Sequence, residues 1–228
     1  AGANQQILEA VYRSPPGLIW IEKGLTIKPK VLSEIKQRHP GIRLIAYSPD
    51  DMLLPTNQSR SYLRSIACYD WHVTHKSFNV SELTALGARR VYYAVKSFDE
   101  QTYYPRQLTV SEQEKWGADV AFLGGYEQPR FETMLGVAQM GIRVKIWGPG
   151  WERVVKHHFN LKVRPGWVQA EDAAMVYSAT KINLHFLRKV ARDLHTARSV
   201  EIPACKAFML AERTQEHLEL FEEGREAE

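Results

Sequence analysis

Short apolar runs alternate with helix-like segments along almost the whole chain, and this alternation limits the fold more than any other feature. Eight runs are interpreted as strands: Leu18–Ile21, Ile42–Tyr47, His72–Thr74, Val91–Val95, Val120–Gly124, Val144–Trp147, Ile182–Phe186 and Ala207–Ala211. Several of them are apolar throughout, as expected when helices cover both faces of a sheet. The pattern predicts an α/β chain built from βα units with parallel sheets.

Two helices between and after these runs have recognisable start signals. Pro129 opens a helix in which apolar residues recur at i, i+3, i+4 and i+7, the spacing of a packed helical face. Thr214 is predicted to cap a last helix. In that helix we expect Leu218 and Phe221 to face inward and Gly224 to mark the end.

The apolar periodicity lapses between Ser97 and Ala118, a polar stretch that contains Pro105. It predicts a crossing between two Rossmann-like domains, an incomplete one over residues 1–108 and a second over residues 109–228. The chain opens on a helix and stops after a strand–helix unit. It is therefore either a compact version of such a protein or a fragment truncated at both ends. Truncated parallel sheets leave exposed edges, which would favour a homo-oligomer.

Composition argues against several classes of protein. Hydrophobic residues make up 44% and charged residues 25%, which is ordinary for a globular protein. No apolar run approaches the roughly 20 residues that span a bilayer, and the first residues contain no signal-peptide core. Cys68 and Cys205 lie far apart in apolar stretches, which fits a reducing cytoplasm better than a disulfide. The net charge of +4 suits a phosphate-bearing ligand, and the scattered cations argue against nucleic acid.

Two glycine-containing turns follow strands in the second half. Gly124 and Gly125 stand between a strand and the helix that carries Arg130, where backbone and guanidinium donors suit a diphosphate. A tight turn with a solvated arginine would have the same sequence. Trp147 and Gly148 begin a Trp-Gly-Pro-Gly-Trp turn at the end of the next strand. The tryptophans either stack on a base or sugar or pack locally.

A third cluster lies between Asp193 and Glu201, after the strand that contains the sequence INLH. At a helix start, Glu201 can accept hydrogen bonds from two ribose hydroxyls, or it can simply interact with the helix dipole. Asp193 is a candidate catalytic acid if it lies under the transferred sugar. The same stretch supplies further candidate donor-binding residues, which are His195, Thr196, Arg198 and Ser199.

Polar side chains also follow two strands of the first half. Asp50 and Asp51 follow one strand and His75 follows the next, and each is a candidate catalytic base. A lone histidine is more often structural. The chain has no D-x-D, HExxH or CxxC motif, so we expect no metal site.

Five segments together match a known pattern: Asp119–Gly124 with Arg130, Trp147–Trp151, Arg198–Thr214, Thr74–Val80 and Leu86–Val91. With them the chain resembles GT-B glycosyltransferases, specifically the spore-maturation-protein (CgeB-type) group. The segment Arg198–Thr214 is the most specific of the five.

The resemblance implies transfer of a sugar from a nucleotide-diphosphate donor to an acceptor, in a cleft between two Rossmann-like domains. It implies a hexosyltransferase-like enzyme that needs no metal or other cofactor. Many retaining members carry an E-x7-E motif whose second glutamate holds the ribose. Asp193 and Glu201 stand at those positions, so the first acid is an aspartate here. Two alternatives remain: a non-catalytic, two-lobed nucleotide or sugar-nucleotide binding protein, and a nucleic-acid-binding α/β protein.

Overall fold

The computed structural model describes residues 2–154 and 158–226, which form an α/β chain with two separate parallel sheets. The strands are β1 (Leu18–Glu22), β2 (Arg43–Ser48), β3 (Trp71–Thr74), β4 (Val91–Tyr93), β5 (Val120–Leu123), β6 (Val144–Gly148), β7 (Leu161–Pro165), β8 (Ile182–His185) and β9 (Met209–Ala211). The helices are α1 (Ala3–Arg13), α2 (Pro29–Arg38), α3 (Arg60–Ser65), α4 (Asn79–Ala85), α5 (Val110–Trp116), α6 (Gln128–Gln139), α7 (Ala170–Ala179), α8 (Arg198–Ala204) and α9 (Gln215–Leu220).

The chain divides into two compact units, each with one sheet. The first unit comprises Ala1–Val95 and Lys189–Arg192, and the second comprises Lys96–Arg188 and Asp193–Glu228. The division falls earlier in the chain than the boundary predicted at residues 108/109. The α/β class with two Rossmann-like parallel sheets is confirmed.

The first sheet has the strand order β1-β2-β3-β4, and all its strands run parallel. Parallel strands joined in sequence by right-handed crossovers place their connecting helices on one face. That face is packed: Leu32 and Ile35 of α2 are fully buried with Leu44 of β2. Pro29 begins α2 at a position where a missing N–H costs nothing.

The opposite face of the first sheet is apolar and partly exposed. Trp20 on β1 and Tyr92 on β4 are each 51% exposed. Trp20 packs on Tyr47, with 5.0 Å between ring centroids, and Trp71 packs edge-on against Tyr92. Parallel sheets usually have both faces covered, so this aromatic surface distinguishes the first unit.

The second sheet has the order β7-β6-β5-β8-β9, again all parallel. The chain moves outward from β5 through β6 to β7 and then returns to place β8 on the other side of β5. The strand order therefore reverses between β5 and β8. Open α/β sheets bind ligands at such a switch point, outside the carboxyl ends of the strands.

Two elements of the second unit have no counterpart in the sequence prediction. Strand β7 has Lys162 and Arg164 alternating with apolar residues, so it lacks a continuous apolar run. Helix α5 lies inside the polar stretch 97–118, where the sequence predicts only a crossing. It buries none of its residues, and a capping box between Thr109 and Glu112 begins it.

The last helix begins as predicted, and Phe221 packs partly buried against the core as expected, but the fully buried residues are different ones. The Thr214 hydroxyl accepts a hydrogen bond from the His217 N–H, which confirms the cap. Leu218, however, is 41% exposed, and Glu216 and His217 are the buried residues. The helix also ends at Leu220, before Phe221. Glu216 is turned inward because its carboxylate pairs with a buried histidine, His195.

Candidate functional site

The carboxyl ends of β5 and β6 form one edge of the second sheet, where two of the predicted turns meet. Leu123 pairs with Trp147, and the Gly124 N–H donates to the Trp147 carbonyl at 2.8 Å. The Trp151 indole donates to the Gly124 carbonyl at 2.7 Å. The structure therefore brings together the two glycine turns that the sequence placed at a binding edge.

Close packing explains Gly124 and Gly148, two of the four glycines in these turns. Gly148 has a φ of +145°, and a Cβ there would lie 2.1 Å from the Gly124 carbonyl oxygen. A Cβ on Gly124 would lie 2.6 Å from the Phe122 ring. Gly125 is different, because its nearest outside atom would be the Pro149 carbonyl oxygen at 4.0 Å. Of the four glycines, Gly125 has the space for a ligand to approach its backbone.

Gly148→Ala is expected to lower the free energy of unfolding by about 2 kcal/mol, because the new methyl group meets the backbone of β5 and the φ value is strained. Gly125→Ala is the matched control and should change stability by less than about 0.5 kcal/mol. Urea unfolding followed by circular dichroism measures both. Equal effects would show that the two turns tolerate a side chain alike.

Both tryptophans of the second turn are part of the core. Trp147 is buried with Ala121 and Val176, and Trp151 is buried against Phe122. Of the two interpretations left open by the sequence, local packing is the one that these positions support.

Arg130 is a buried cation in the first turn of α6. It is 7% exposed, its Nη1 donates to the Gly125 carbonyl at 3.1 Å, and it pairs with Glu127 at 2.9 Å. Its Nε is buried and has no hydrogen-bond partner within residues 2–154 and 158–226. Burial lowers the pKa of Arg130, and the nearby Arg198 and Arg188 lower it further. A guanidinium with an unused donor and two cationic neighbours is suited to an anionic ligand.

Several predicted donor-binding residues hold the loop before α8 in place. The Ser199 hydroxyl is fully buried between His185 Nε2 at 2.9 Å and His217 Nε2 at 2.8 Å. The Thr196 N–H donates to the same hydroxyl at 3.0 Å. Burial lowers the pKa of His185 to about 3, so its imidazole is neutral. Its Nδ1 has no partner in the described part of the chain.

His195 is likewise buried and occupied on both ring nitrogens. Its Nε2 accepts from the Lys96 N–H at 3.0 Å, so Nδ1 carries the proton toward Glu216 at 2.5 Å. Asp193 is buried as well, and Arg188 Nε donates to its carboxylate at 2.9 Å. These contacts hold the loop before α8 in place.

Glu201 is a half-buried carboxylate in the first turn of α8. Burial raises its pKa, while Arg198 and hydrogen bonds from the Tyr103 and Tyr177 hydroxyls act in the opposite direction. The two tyrosine rings stack with centroids 6.3 Å apart. Sequence reasoning missed both tyrosines, because neither stands at a strand end or in a recognisable motif.

The acidic candidates of the first unit are engaged in ion pairs. Asp50 pairs with Lys23 at 2.7 Å. Asp51 is completely buried and accepts hydrogen bonds from Leu53 N–H at 3.0 Å and Asn79 Nδ2 at 3.1 Å. Arg192 Nε donates to the same carboxylate at 2.8 Å. A carboxylate with these partners serves to hold Arg192, which counts against Asp51 as a base.

His75 is also enclosed. Its Nδ1 donates to the Ala94 carbonyl at 2.5 Å, and its Nε2 lies 3.1 Å from the Tyr47 hydroxyl.

The short segment Lys189–Arg192 belongs to the first unit. The Arg192 guanidinium attaches it there, because it also pairs with Glu82 at 2.8 Å and lies over the Phe78 ring.

Comparison with known proteins adds a family match to this geometry. Residues 130–228 match the family model described as Glycosyl transferase-like. The match begins at Arg130 and contains the whole 193–201 cluster. The chain has no significant match among curated proteins.

Three solved structures are similar in fold. Anabaena Alr3699/HepE in complex with UDP and glucose has a TM-score of 0.62 at 15% identity, over 98% of this chain and 68% of that one. The N-terminal domain of Candida albicans trehalose-6-phosphate phosphatase has a TM-score of 0.62 at 11% identity, over 91% of this chain and 58% of that one. UDP-GlcNAc 2-epimerase from Methanocaldococcus jannaschii has a TM-score of 0.55 at 8% identity, over 95% of this chain and 67% of that one. These likenesses confirm the predicted GT-B fold class.

Among residues 2–154 and 158–226, no helix combines the length and the apolar character needed to cross a membrane.

Proposed function

We propose that this chain is a glycosyltransferase that takes a nucleotide-diphosphate sugar as its donor and holds that donor on the second unit. The observation that carries the proposal is Arg130. Its guanidinium is buried beside the open Gly125 backbone, at the carboxyl end of β5, and keeps an unused donor. The family match over residues 130–228 supports the same chemistry, as does the similarity to a protein whose structure contains UDP and glucose.

In this proposal the protein's own cations stabilise the diphosphate as the sugar leaves. Arg130 contacts the phosphates, and Arg188 and Arg198 lie near enough to influence its pKa. Fixed positive charges of this kind stabilise a leaving diphosphate where charge develops, which is why we propose a metal-independent, hexosyltransferase-like reaction. The CgeB-type group and a cytoplasmic location are part of the same proposal.

A second candidate function is a two-lobed sugar-nucleotide binding protein without catalysis. It is favoured by one observation: the four predicted catalytic side chains all have protein partners. Asp193 is paired with Arg188, Asp50 with Lys23 and Asp51 with Arg192, and His75 uses both ring nitrogens. A transferase would need at least one of them, or another group, to be released toward the substrate.

A donor panel tests the proposal and separates the two candidates. We expect one class among UDP, GDP, dTDP, ADP and CMP sugars to stabilise the chain by about 2.7 kcal/mol at roughly 100 times its dissociation constant. A transferase should also release free sugar from that donor slowly in water, whereas a binding protein should not. Absence of stabilisation by every nucleotide sugar would refute both candidates.

A further inference from the structure

The second unit contains a cavity at the end of its sheet opposite to Arg130. The cavity has a volume of about 370 Å³. Ala118, Asn160 and Lys181 line it. Asn160 and Lys181 directly precede β7 and β8, and Ala118 lies two residues before the start of β5. The amino ends of parallel strands meet at one edge, so this cavity and the Gly125 turn lie at opposite edges of the sheet. A ligand in the cavity is therefore not a reactant of the proposed transfer.

Four cations line this cavity: Arg143, Lys145, Lys162 and Lys181. Among the described lining residues, Glu114 is the one carboxylate. Just outside the lining, Asp119 pairs with both Arg143 at 2.9 Å and Lys181 at 2.8 Å. One carboxylate shared by two cations leaves an excess of positive charge around the cavity.

Lys145 lies among these cations, and its pKa is lowered by burial and by their positive charge. Its ammonium donates to the Glu114 and Lys115 carbonyls at the end of α5, at 2.9 and 3.0 Å. Burial lowers its pKa, and Lys162, Arg164 and Arg143 lower it further. The charged neighbours that act on Lys145 are all cations, so an anion bound among them would relieve repulsion.

An aromatic ring, that of Phe159, lines the same cavity. Phe159 is 84% exposed and lines it together with the apolar Val144 and Ala179. An exposed phenylalanine beside cations suits a ligand that has both a planar or apolar part and a negative charge. The volume is within the range of about 300–1,000 Å³ that is typical of small-molecule sites.

We propose that this basic cavity is a second ligand site, which binds an organic phosphate whose planar or apolar part packs on Phe159. The phosphate is held by Lys162 with Arg143 and Lys181 at the rim. The site does not depend on the proposed transferase function, since no residue of the donor site contributes to it.

The test is calorimetric titration of the protein with 1-naphthyl phosphate, compared with inorganic phosphate and 1-naphthol. We expect the naphthyl phosphate to bind more tightly than either part alone. Lys162→Ala and Phe159→Ala should each weaken it about tenfold, since each removes one half of the recognition. Both side chains are exposed, so neither change should disturb the fold. Lys30→Ala and Phe98→Ala, two exposed positions that do not line the cavity, are the matched controls.

Arg130→Ala separates this site from the donor site. Naphthyl phosphate affinity should be unchanged in Arg130→Ala, and the affinity of a nucleoside diphosphate for the donor site should be unchanged in Lys162→Ala. The proposal is overturned if naphthyl phosphate fails to bind at millimolar concentration. It is also overturned if its binding depends on Arg130 and is insensitive to Lys162 and Phe159.

Discussion

Replacing Arg130 with alanine is expected to weaken the binding of a nucleoside diphosphate such as UDP about a hundredfold and to leave the binding of the bare nucleoside, uridine, unchanged. The guanidinium is buried, and its Nε has no partner in the described residues, so its charge is available to the phosphates. Hydrogen bonds to charged groups contribute about 1.5–3 kcal/mol, and a hundredfold change in affinity corresponds to about 2.7 kcal/mol. Uridine carries no phosphate, so its affinity should not change when the guanidinium is removed.

Calorimetry with UDP and uridine measures this difference. Arg130→Met is a second variant that keeps the buried volume against the Phe122 ring while it removes the charge. Arg225→Ala is the matched control, because Arg225 is an exposed arginine of the same unit that pairs with Glu222 and belongs to neither proposed site. A similar loss of UDP and uridine affinity would mean that Arg130 supports the fold of the turn and does not bind phosphate.

Glu201→Gln is expected to weaken UDP binding ten- to hundredfold, or about 1.5–3 kcal/mol, by removing a charged acceptor from the ribose hydroxyls. The Tyr103 and Tyr177 hydroxyls lie near enough to this carboxylate to lower its pKa. An ionised carboxylate has about four acceptor positions, enough to accept from the ribose hydroxyls as well. In this arrangement the tyrosines orient the carboxylate that the nucleotide uses.

The comparison of UDP with 2′-deoxy-UDP identifies the ribose contact. Wild-type protein should prefer UDP, and Glu201→Gln should lose most of that preference. Tyr103→Phe should have a smaller effect, and thermal unfolding serves as the folding control. If the UDP to deoxy-UDP ratio is the same in both proteins, the carboxylate only anchors the tyrosines.

The pH dependence of binding has a definite sign. Burial raises the pKa of Glu201, so its carboxylate takes up a proton at a higher pH than an ordinary glutamate. UDP affinity should therefore fall as the pH decreases toward that raised pKa, and Glu201→Gln should not show this part of the decrease.

Local sequence patterns were sufficient for most strands and for the helix starts. The central strands β2, β5 and β6 are apolar runs, and Thr214 caps α9 through its own side chain. Amphipathic or exposed elements were the ones missed. Strand β7 alternates charged and apolar residues, and α5 buries no side chain, so neither has the periodicity on which such predictions rest.

The sequence was sufficient to predict where in the sheet the candidate site lies, but not which of its residues are free to contact a ligand. A glycine pair before a helix marks the carboxyl end of β5, and the structure confirms that Gly124 and Gly148 lie together there. Which glycine is free for a ligand depends on the atoms of the neighbouring strand. The sequence does not contain that information, because the Gly124 carbonyl that approaches Gly148 comes from a distant part of the chain.

The sequence by itself determined the class of fold, the parallel strands and the position of Arg130 at a helix start, because these depend on neighbours along the chain. Tertiary structure alone decided which polar side chains are occupied. Asp51 pairs with Arg192, His195 pairs with Glu216, and Glu201 lies beside Tyr103 and Tyr177. Each of these partners is far away in sequence. A polar group that folding buries must find a partner wherever the packed chain supplies one, and that choice is made in three dimensions.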